Sequence, residues 1–280
     1  MSIAFEQSRS APESEPAGEL APGLRTGGRL HAVLEGATSV AVVLFLWEGL
    51  IRALGVPSYV FPAPSAALLS LWRGIISGIY LSAVAQTLSE ILIGALIGSA
   101  VGFVLAVIMI SSPLLNRLLY PWVVAIQTVP KVAIAPLMLV WFGFGIESKI
   151  LIVALTCMFP IMVNTVAGFR STDPDQIALV KALCGNQLKL LRYVQFYSAL
   201  PYIFAGLNTA IVLAVIAAIV AEFVGARAGI GYLILQANFA LDLPGVFSLL
   251  VVLGILGVTL SLCVRAIEKR ICFWNQRTPG

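Results

Sequence analysis

Three charged side chains, Glu90, Lys131 and Glu222, lie inside long apolar stretches of the sequence. A charge at the centre of a bilayer costs about 2.5–3.5 kcal/mol on insertion scales, so each residue is a candidate for a functional site. Lys131 lies between Pro130 and Pro136, and each proline removes a backbone donor from the helix that carries it. We expect Lys131 to face a translocation path, where it attracts a polar or anionic solute, or to hold a closed gate by pairing with Glu90 or Glu222. A proline-kinked helix packed in a bundle, with Lys131 neutralised, accounts for the same pattern equally well.

Three further patterns predict local structure around these charges. Glu48 and Arg52 are four residues apart, a spacing that favours an ion pair on one helix face. Glu222 comes just before a glycine-rich turn at 228–232, which we assign to the outer gate. Three glycines spaced four residues apart, a pattern typical of close helix packing, occupy positions 94, 98 and 102.

The residue patterns that common enzyme classes require are absent from the sequence. There is no GxxxxGK[ST] phosphate loop, no HExxH zinc motif and no GxSxG nucleophile motif. The single histidine, His31, has no local partner, and the four cysteines show no metal-ligand spacing. We therefore predict no catalytic residue, no metal site and no cofactor, and we expect any energy source to be a separate protein.

The composition places these residues in a membrane protein. Of the 280 residues, 60% are hydrophobic and 11% are charged, whereas about 25% are charged in a typical soluble domain. Such a chain cannot cover itself with polar side chains, so lipid must take their place. The net charge of +4 is spread thinly between apolar blocks, which indicates topological charge and not a nucleic-acid-binding surface.

The apolar blocks predict an all-α integral membrane protein with six transmembrane helices. Each block is long enough to cross a bilayer. Only helices and closed barrels satisfy their backbone groups in hydrocarbon, and continuous apolar runs without period-2 alternation exclude a barrel. The predicted spans are about 36–54, 83–110, 118–142, 149–169, 201–224 and 245–266.

The distribution of basic residues predicts the topology. A cytoplasmic N-terminus puts most of the 17 Lys and Arg residues on the cytoplasmic side. Six spans then place both termini there. We predict a disordered cytoplasmic tail over 1–30, a six-span domain over 31–272 and a cytoplasmic C-terminal tail over 273–280.

The longest predicted cytoplasmic loop, residues 170–200, contains more structure than a connection between two helices needs. A short helical hairpin of this kind suits docking into a groove of a cytoplasmic partner, although a loop that lies on lipid headgroups would have a similar pattern. Its parts, in order, are a helix start at Asp173-Pro174, a break at Cys184-Gly185-Asn186, a second basic helix over 187–196, and Leu200-Pro201 before the fifth span.

Ordered residue blocks across roughly 40–270 resemble the permease subunits of binding-protein-dependent ABC importers, in the branch for sulfonates, taurine, nitrate and pyrimidine precursors. The loop 170–200 is similar to the coupling (EAA) loop of that family. It departs from the pattern at Ala178, where a glutamate is usual, and at Tyr197, where a proline is usual. The blocks are QTVPKVA at 127–133 with Pro136-Leu137, WFGFG at 141–145, Pro160 with Asn164 and Gly168 before Arg170-Ser171, ALPYIFAGL at 199–207, EFVGA at 222–226 and GIGYLI at 229–234.

The resemblance implies a type I ABC importer permease-like fold, present as a homodimer in the bacterial plasma (inner) membrane. It also implies two kinds of partner: cytoplasmic ATP-binding cassette subunits at the coupling loop, and a periplasmic or lipid-anchored solute-binding protein at the outer face, over 57–82 and 226–244. The expected function is ATP-driven import of a sulfonate or taurine, a nitrate-like anion or a pyrimidine precursor by alternating access.

Two sets of candidate residues follow, and one competing class of protein. A stand-alone secondary transporter or channel would rest its ion coupling on Lys131, Glu90 and Glu222. For the importer, the candidates for coupling to the ATPase are Lys181, Ala182, Leu183, Gly185, Leu188 and Pro201, and those for the path or gate are Lys131, Glu90, Glu222, Pro130 and Pro136.

Overall fold

The computed structural model describes residues 27–183 and 185–274, without the side chains of residues 27–34, 37, 131, 132 and 187. Residues 1–26 of the predicted N-terminal tail, Cys184, and residues 275–280 of the predicted C-terminal tail lie outside the described residues. The described residues divide into two compact units, one that ends at Trp47 and one that begins at Glu48.

The described part of the chain is helical and contains no strand, as the apolar blocks predict. A short π-helical turn, Leu191–Gln195, connects two of the α-helices. The α-helices are α1 (Gly27–Leu54), α2 (Pro64–Ile76), α3 (Ile79–Ser111), α4 (Pro113–Thr128), α5 (Lys131–Phe142), α6 (Ile146–Arg170), α7 (Pro174–Ala182), α8 (Gln187–Leu190), α9 (Phe196–Gly225), α10 (Ile230–Phe239) and α11 (Leu243–Ile271).

Four continuous helices in the described residues are long and apolar enough to cross a membrane, and a bent pair would make a fifth. The first predicted span, 36–54, lies within α1; its crossing stays a prediction. The four continuous helices are α3, α6, the rod Leu188–Gly225 and α11, and the bent pair is α4 with α5.

The predicted span over 118–142 is broken in the middle. Two helices occupy this segment, and they are bent by 99° across a short break. Val129, between them, has the extended backbone angles φ −69° and ψ 124°. The ring of Pro130 clashes with the helical conformation of the residue before it, so Val129 is driven out of the helix. Pro130 then begins α5 as its N-cap residue.

The prediction that Leu200-Pro201 separates the coupling loop from the fifth span is wrong. Pro201 lies inside α9, and one helical rod runs from Leu188 to Gly225, 38 residues in all. The rod also contains the π-helical turn, which ends at Gln195, six residues before Pro201. A π-turn inserts an extra residue into a helix and is frequent at functional sites.

The core of the unit is the crossing of α3 with α6 and of α6 with α9. The spaced glycines of α3 form this contact, as predicted: a Cβ at Gly94 would lie 2.6 Å from Val153 Cβ, and one at Gly102 would meet the carbonyl of Met158. On the other side of α6, α9 presents a row of buried alanines that includes Ala210, Ala214 and Ala218. Small residues let these backbones approach closely, which helps apolar helices to associate in lipid.

Candidate gate and coupling sites

Four buried polar side chains from α3, α6 and α9 meet at the end of the bundle where α9 turns into α10. We call them the polar cluster. None is more than 3% exposed. A buried charge requires a partner or hydrogen bonds that compensate for the lost water. The four are Thr87, Glu90, Lys149 and Glu222.

Glu90 on α3 pairs with Lys149 on α6. The Lys149 ammonium Nζ lies 3.2 Å from Glu90 Oε1, and Gln86, one turn earlier on α3, donates to the same oxygen over 2.9 Å. Glu90 is 0% exposed and Lys149 is 3% exposed. The pair therefore connects two transmembrane helices through a charge-assisted hydrogen bond that is shielded from solvent.

Glu222, near the end of α9, holds the start of α10. Its Oε2 accepts from the backbone amide of Gly231 over 2.5 Å, and its Oε1 accepts from the hydroxyl of Thr87 over 2.6 Å. Thr87 Oγ1 in turn accepts from the amide of Ile230 over 2.9 Å. These bonds satisfy two of the amides that a helix N-terminus leaves unpaired, and a carboxylate is favoured there by the helix dipole.

Gly229 allows this turn to close on the carboxylate. Its φ of +115° is a conformation that side chains with a Cβ rarely adopt, and a Cβ built there would overlap the carboxylate of Glu222. A glycine is therefore required at this position for two reasons.

The structure brings together Glu90 and Glu222, two of the predicted path or gate residues, and adds a cation that sequence reasoning missed. Lys149 lies at the start of an apolar block, next to Glu147, so its position in the sequence does not distinguish it from a flanking surface residue. Only the crossing of α3 with α6 shows that it is buried against Glu90. Pro130 and Pro136 lie at the start of and inside α5. The side chain of Lys131 lies outside the described residues.

The loop between α6 and α9 contains the predicted helical hairpin. The Asp173 carboxylate caps α7 by accepting from the amide of Asp175 over 2.9 Å, which confirms the predicted helix start. The amide of Gly185 bonds to the carbonyl of Val180 over 2.9 Å and closes the turn that follows α7. A Cβ at Gly185 would lie 2.5 Å from Val180 Cγ1, so this close approach suits glycine alone.

The hairpin presents an apolar surface that its own unit leaves uncovered. None of the nine residues of α7, all of them described, is buried. Leu179 is 61% exposed, Leu183 74% and Leu188 70%. With the exposed Lys181 and Ala182 between them, these leucines form a surface that we call the coupling patch, residues 179–188. Large exposed apolar patches rimmed by polar residues mark interaction sites.

An open aromatic cavity lies at the base of the hairpin, next to Pro201. Its volume is about 620 Å³. Tyr197, which stands where the coupling-loop pattern has a proline, packs edge-on against Trp274 with ring centroids 6.0 Å apart. The other lining residues are Gln176, Tyr193, Val194, Ser198, Tyr202 and Ala205.

The predicted pair of Glu48 and Arg52 is present, and it has a further role. Arg52 Nη2 lies 2.5 Å from Glu48 Oε1, which confirms the prediction. Glu48 also accepts from the amide of Ser65 over 3.0 Å and from its hydroxyl over 2.7 Å. The pair therefore fixes the first turn of α2 to the end of α1.

Within the described residues, no group of three or more His, Cys, Asp or Glu side chains could hold a metal ion.

The chain is similar to the membrane components of binding-protein-dependent transport systems. The family described as the binding-protein-dependent transport system inner membrane component matches residues 98–272. A riboflavin transport system permease protein of Chloroflexus aurantiacus is 32% identical over 85% of this chain and 88% of its own length. A formylaminopyrimidine transport permease protein of Halalkalibacterium halodurans is 30% identical over 89% and 99%, respectively.

A third similar protein, from Bacillus subtilis, is a putative aliphatic sulfonates transport permease protein that is 28% identical over 91% of this chain and 93% of its own length. Among solved structures, the methionine ABC transporter MetNI in an inward-facing conformation matches with a TM-score of 0.63 at 18% identity. That match covers 70% of this chain and 97% of the MetNI chain. At this identity the likeness shows the fold alone, and that fold is the one the resemblance implied.

Proposed function

This chain belongs to the family of binding-protein-dependent transport system inner membrane components, and from that membership we propose that it forms the solute pathway of an ATP-driven importer that works by alternating access. The solute is a small polar or anionic molecule, in line with the names of the similar permeases, which include an aliphatic sulfonate permease and a formylaminopyrimidine permease. The exposed coupling patch on a rod that continues into the membrane is the observation that carries this proposal.

The coupling patch is the docking site for an ATP-binding cassette subunit in the cytoplasm. Lys181, Ala182, Leu183, Gly185 and Leu188 form or shape this patch. Burying three exposed leucines at such a site would contribute about 1.5–3 kcal/mol for each side chain that is fully covered. A helix-in-groove mode of binding fits an exposed apolar helix face of this size.

The rod from Leu188 to Gly225 transmits the motion of the ATPase to the membrane. Its 38 residues extend about 57 Å at 1.5 Å per residue, whereas the hydrocarbon core is about 30 Å thick. Roughly half of the rod therefore lies outside the hydrocarbon, on the side of the hairpin. Pro201 and the π-helical turn lie in this half of the rod, on the side of the hairpin. Prolines and π-turns are the places where a helix most readily bends.

The remaining partners follow from the same membership. A second copy of this chain completes the solute pathway as a homodimer. A solute-binding protein docks on the opposite face, over residues 57–82 and 226–244. Lys131, Glu90, Glu222, Pro130 and Pro136 belong to the path or gate, and the protein spans the bacterial inner membrane with both termini in the cytoplasm.

A charge placed in the coupling patch should release the ATPase subunit. In Leu183→Asp we expect co-purification with its ATP-binding cassette subunit to weaken by roughly 30-fold or more, the effect of losing an interface hot spot of about 2 kcal/mol. Leu241→Asp is the matched control. Leu241 is 65% exposed and lies one membrane crossing away from the hairpin; its φ of 56° suits aspartate.

Equal retention of the ATPase by the two variants would reject the docking site. If the wild-type chain reconstituted alone in liposomes catalyses solute counterflow and never binds an ATPase, the protein is a stand-alone secondary transporter or channel.

Uptake by Lys131→Ala and Lys131→Gln, assayed with the complete importer, tests the path assignment. We expect both variants to lose uptake of an anionic solute, and normal uptake with normal stability would remove Lys131 from the path.

A further inference from the structure

One oxygen of the polar cluster is buried without a hydrogen-bond partner. Glu90 Oε1 accepts from Lys149 and Gln86, but Glu90 Oε2 is fully buried and has no partner among the described residues. The carboxyl groups of Glu90 and Glu222 lie close enough to interact electrostatically and to share a hydrogen bond. An ionised carboxylate oxygen in such a place pays its full desolvation cost without compensation.

The charges of the cluster do not balance if all three ionisable groups are ionised. Two carboxylates and one ammonium leave a net charge of −1, and the residues are 0%, 1% and 3% exposed. Like charges in a shared buried site cannot both persist unless something neutralises one of them. Both oxygens of Glu222 accept hydrogen bonds, from Thr87 and Gly231, whereas Glu90 Oε2 accepts none, so Glu90 has the oxygen that is free to carry a proton.

We propose that Glu90 and Glu222 form a proton-binding site in which Glu90 Oε2 carries the proton and donates it to the Glu222 carboxylate. The cluster is then neutral, with Lys149 balancing Glu222, and the orphaned oxygen becomes a donor. The proton joins α3 to the end of α9, and through Glu222 to the first amides of α10. When the proton leaves for water, two carboxylates repel each other across this junction, and the turn that carries Gly229 is released.

No other charge in the described surroundings replaces the proton. Arg227, in the turn between α9 and α10, is exposed, and so is Arg73 on α2, which packs against the start of α3. On α6, the neighbouring Glu147 is exposed and of the wrong sign. The side chain of Lys131, at the start of α5, lies outside the described residues.

The full-length chain in lipid nanodiscs permits a direct test that does not depend on transport. An infrared difference spectrum of wild type minus Glu90→Gln at neutral pH should show the carbonyl stretch of one protonated carboxylic acid, with a downshift in D₂O. Glu222→Gln should abolish the same band, because Glu90 then ionises against Lys149. The exposed Glu147→Gln is the matched control and should leave the band in place. A wild-type chain without this band would overturn the proposal.

Thermal stability gives an independent measurement. Glutamine at position 90 reproduces the protonated state, since its amide donates to Glu222 and its oxygen accepts from Lys149. Glu90→Gln should therefore melt within a few degrees of wild type at pH 6. Between the ordinary pKa of a glutamate in the unfolded chain, about 4.3, and the pH at which the folded chain releases the proton, folding takes up one proton, so the wild type should lose about 3–5 °C per pH unit relative to this variant. A Glu90→Gln chain that unfolds at pH 6, or that follows the wild type at every pH, would contradict a proton on Glu90.

Discussion

Replacing Gly98 by alanine would separate the two helices that form the core of this protein. A Cβ on Gly98 would lie 2.9 Å from both the carbonyl carbon and the Cα of Ala154, and it would overlap the carbonyl oxygen. Ordinary contact begins at 3.4 Å, so α3 and α6 must part by more than the 0.5 Å difference (3.4 minus 2.9). The obstacle is backbone and cannot turn aside as a flexible side chain would.

The expected cost is at the upper end of the range for overpacked cores. Inserting a methyl group into a closely packed site costs about 1–3 kcal/mol, and here the methyl group meets a helix backbone. A loss of about 3 kcal/mol corresponds to a fall in melting temperature of about 6–12 °C for a chain of this size. Gly98→Ala should show this fall when the detergent-purified chain is heated and its folded fraction is followed by circular dichroism.

Gly254→Ala on α11 is the matched control, because nothing lies within 4 Å of its built Cβ. Because alanine is a better helix former than glycine, we expect this variant to keep the stability of the wild type or to exceed it by up to about 1 kcal/mol. Adding Gly102→Ala to Gly98→Ala should cost less than the sum of the two, since one separation of the helices relieves both overlaps. Equal melting temperatures for Gly98→Ala and Gly254→Ala would refute the reasoning that a carbonyl-lined crossing sets the limit.

Three further outcomes follow from the described contacts. Thr87→Val removes both the donor to Glu222 and the acceptor for the first amide of α10, so its free energy of unfolding should fall by about 2–5 kcal/mol, whereas Thr87→Ser should keep most of the stability; equal effects in thermal melts would argue against these bonds. Gly229→Ala forces a Cβ into a left-handed conformation against the Glu222 carboxylate, and reconstituted importer carrying it should lose at least tenfold in uptake while still binding the ATPase. Burial and, secondarily, the Glu268 carboxylate raise the pKa of the Cys272 thiol, so maleimide labelling of a chain with this single cysteine should rise about tenfold per pH unit from pH 7 to 9, and Glu268→Gln should speed it at fixed pH.

Much of the architecture was predictable because it depends on local chemistry. Continuous apolar blocks dictate helices wherever water is absent, and the structure has helices at each of the six predicted positions. The cap of α7 by Asp173, the pair of Glu48 with Arg52 and the packing role of the α3 glycines also arise from short-range patterns, and the structure confirms all three.

Sequence reasoning missed the backbone path at two prolines, because that path depends on how the helices pack against one another. Pro130 disfavours a helix at Val129, but a loosened helix and a 99° bend have the same sequence pattern, and packing against other helices selects between them. Pro201 is compatible with a helix break, yet it lies within a 38-residue rod, because a membrane helix packed against its neighbours tolerates the loss of one backbone hydrogen bond.

The sequence by itself determined that Glu90 and Glu222 would be buried charges that need compensation, since apolar residues surround each of them along the chain. Only the tertiary structure decided how they are compensated. Lys149 is 59 residues from Glu90, and Thr87 is 135 residues from Glu222. No local rule couples groups at such separations, because their distance in space is set by which faces of three helices meet.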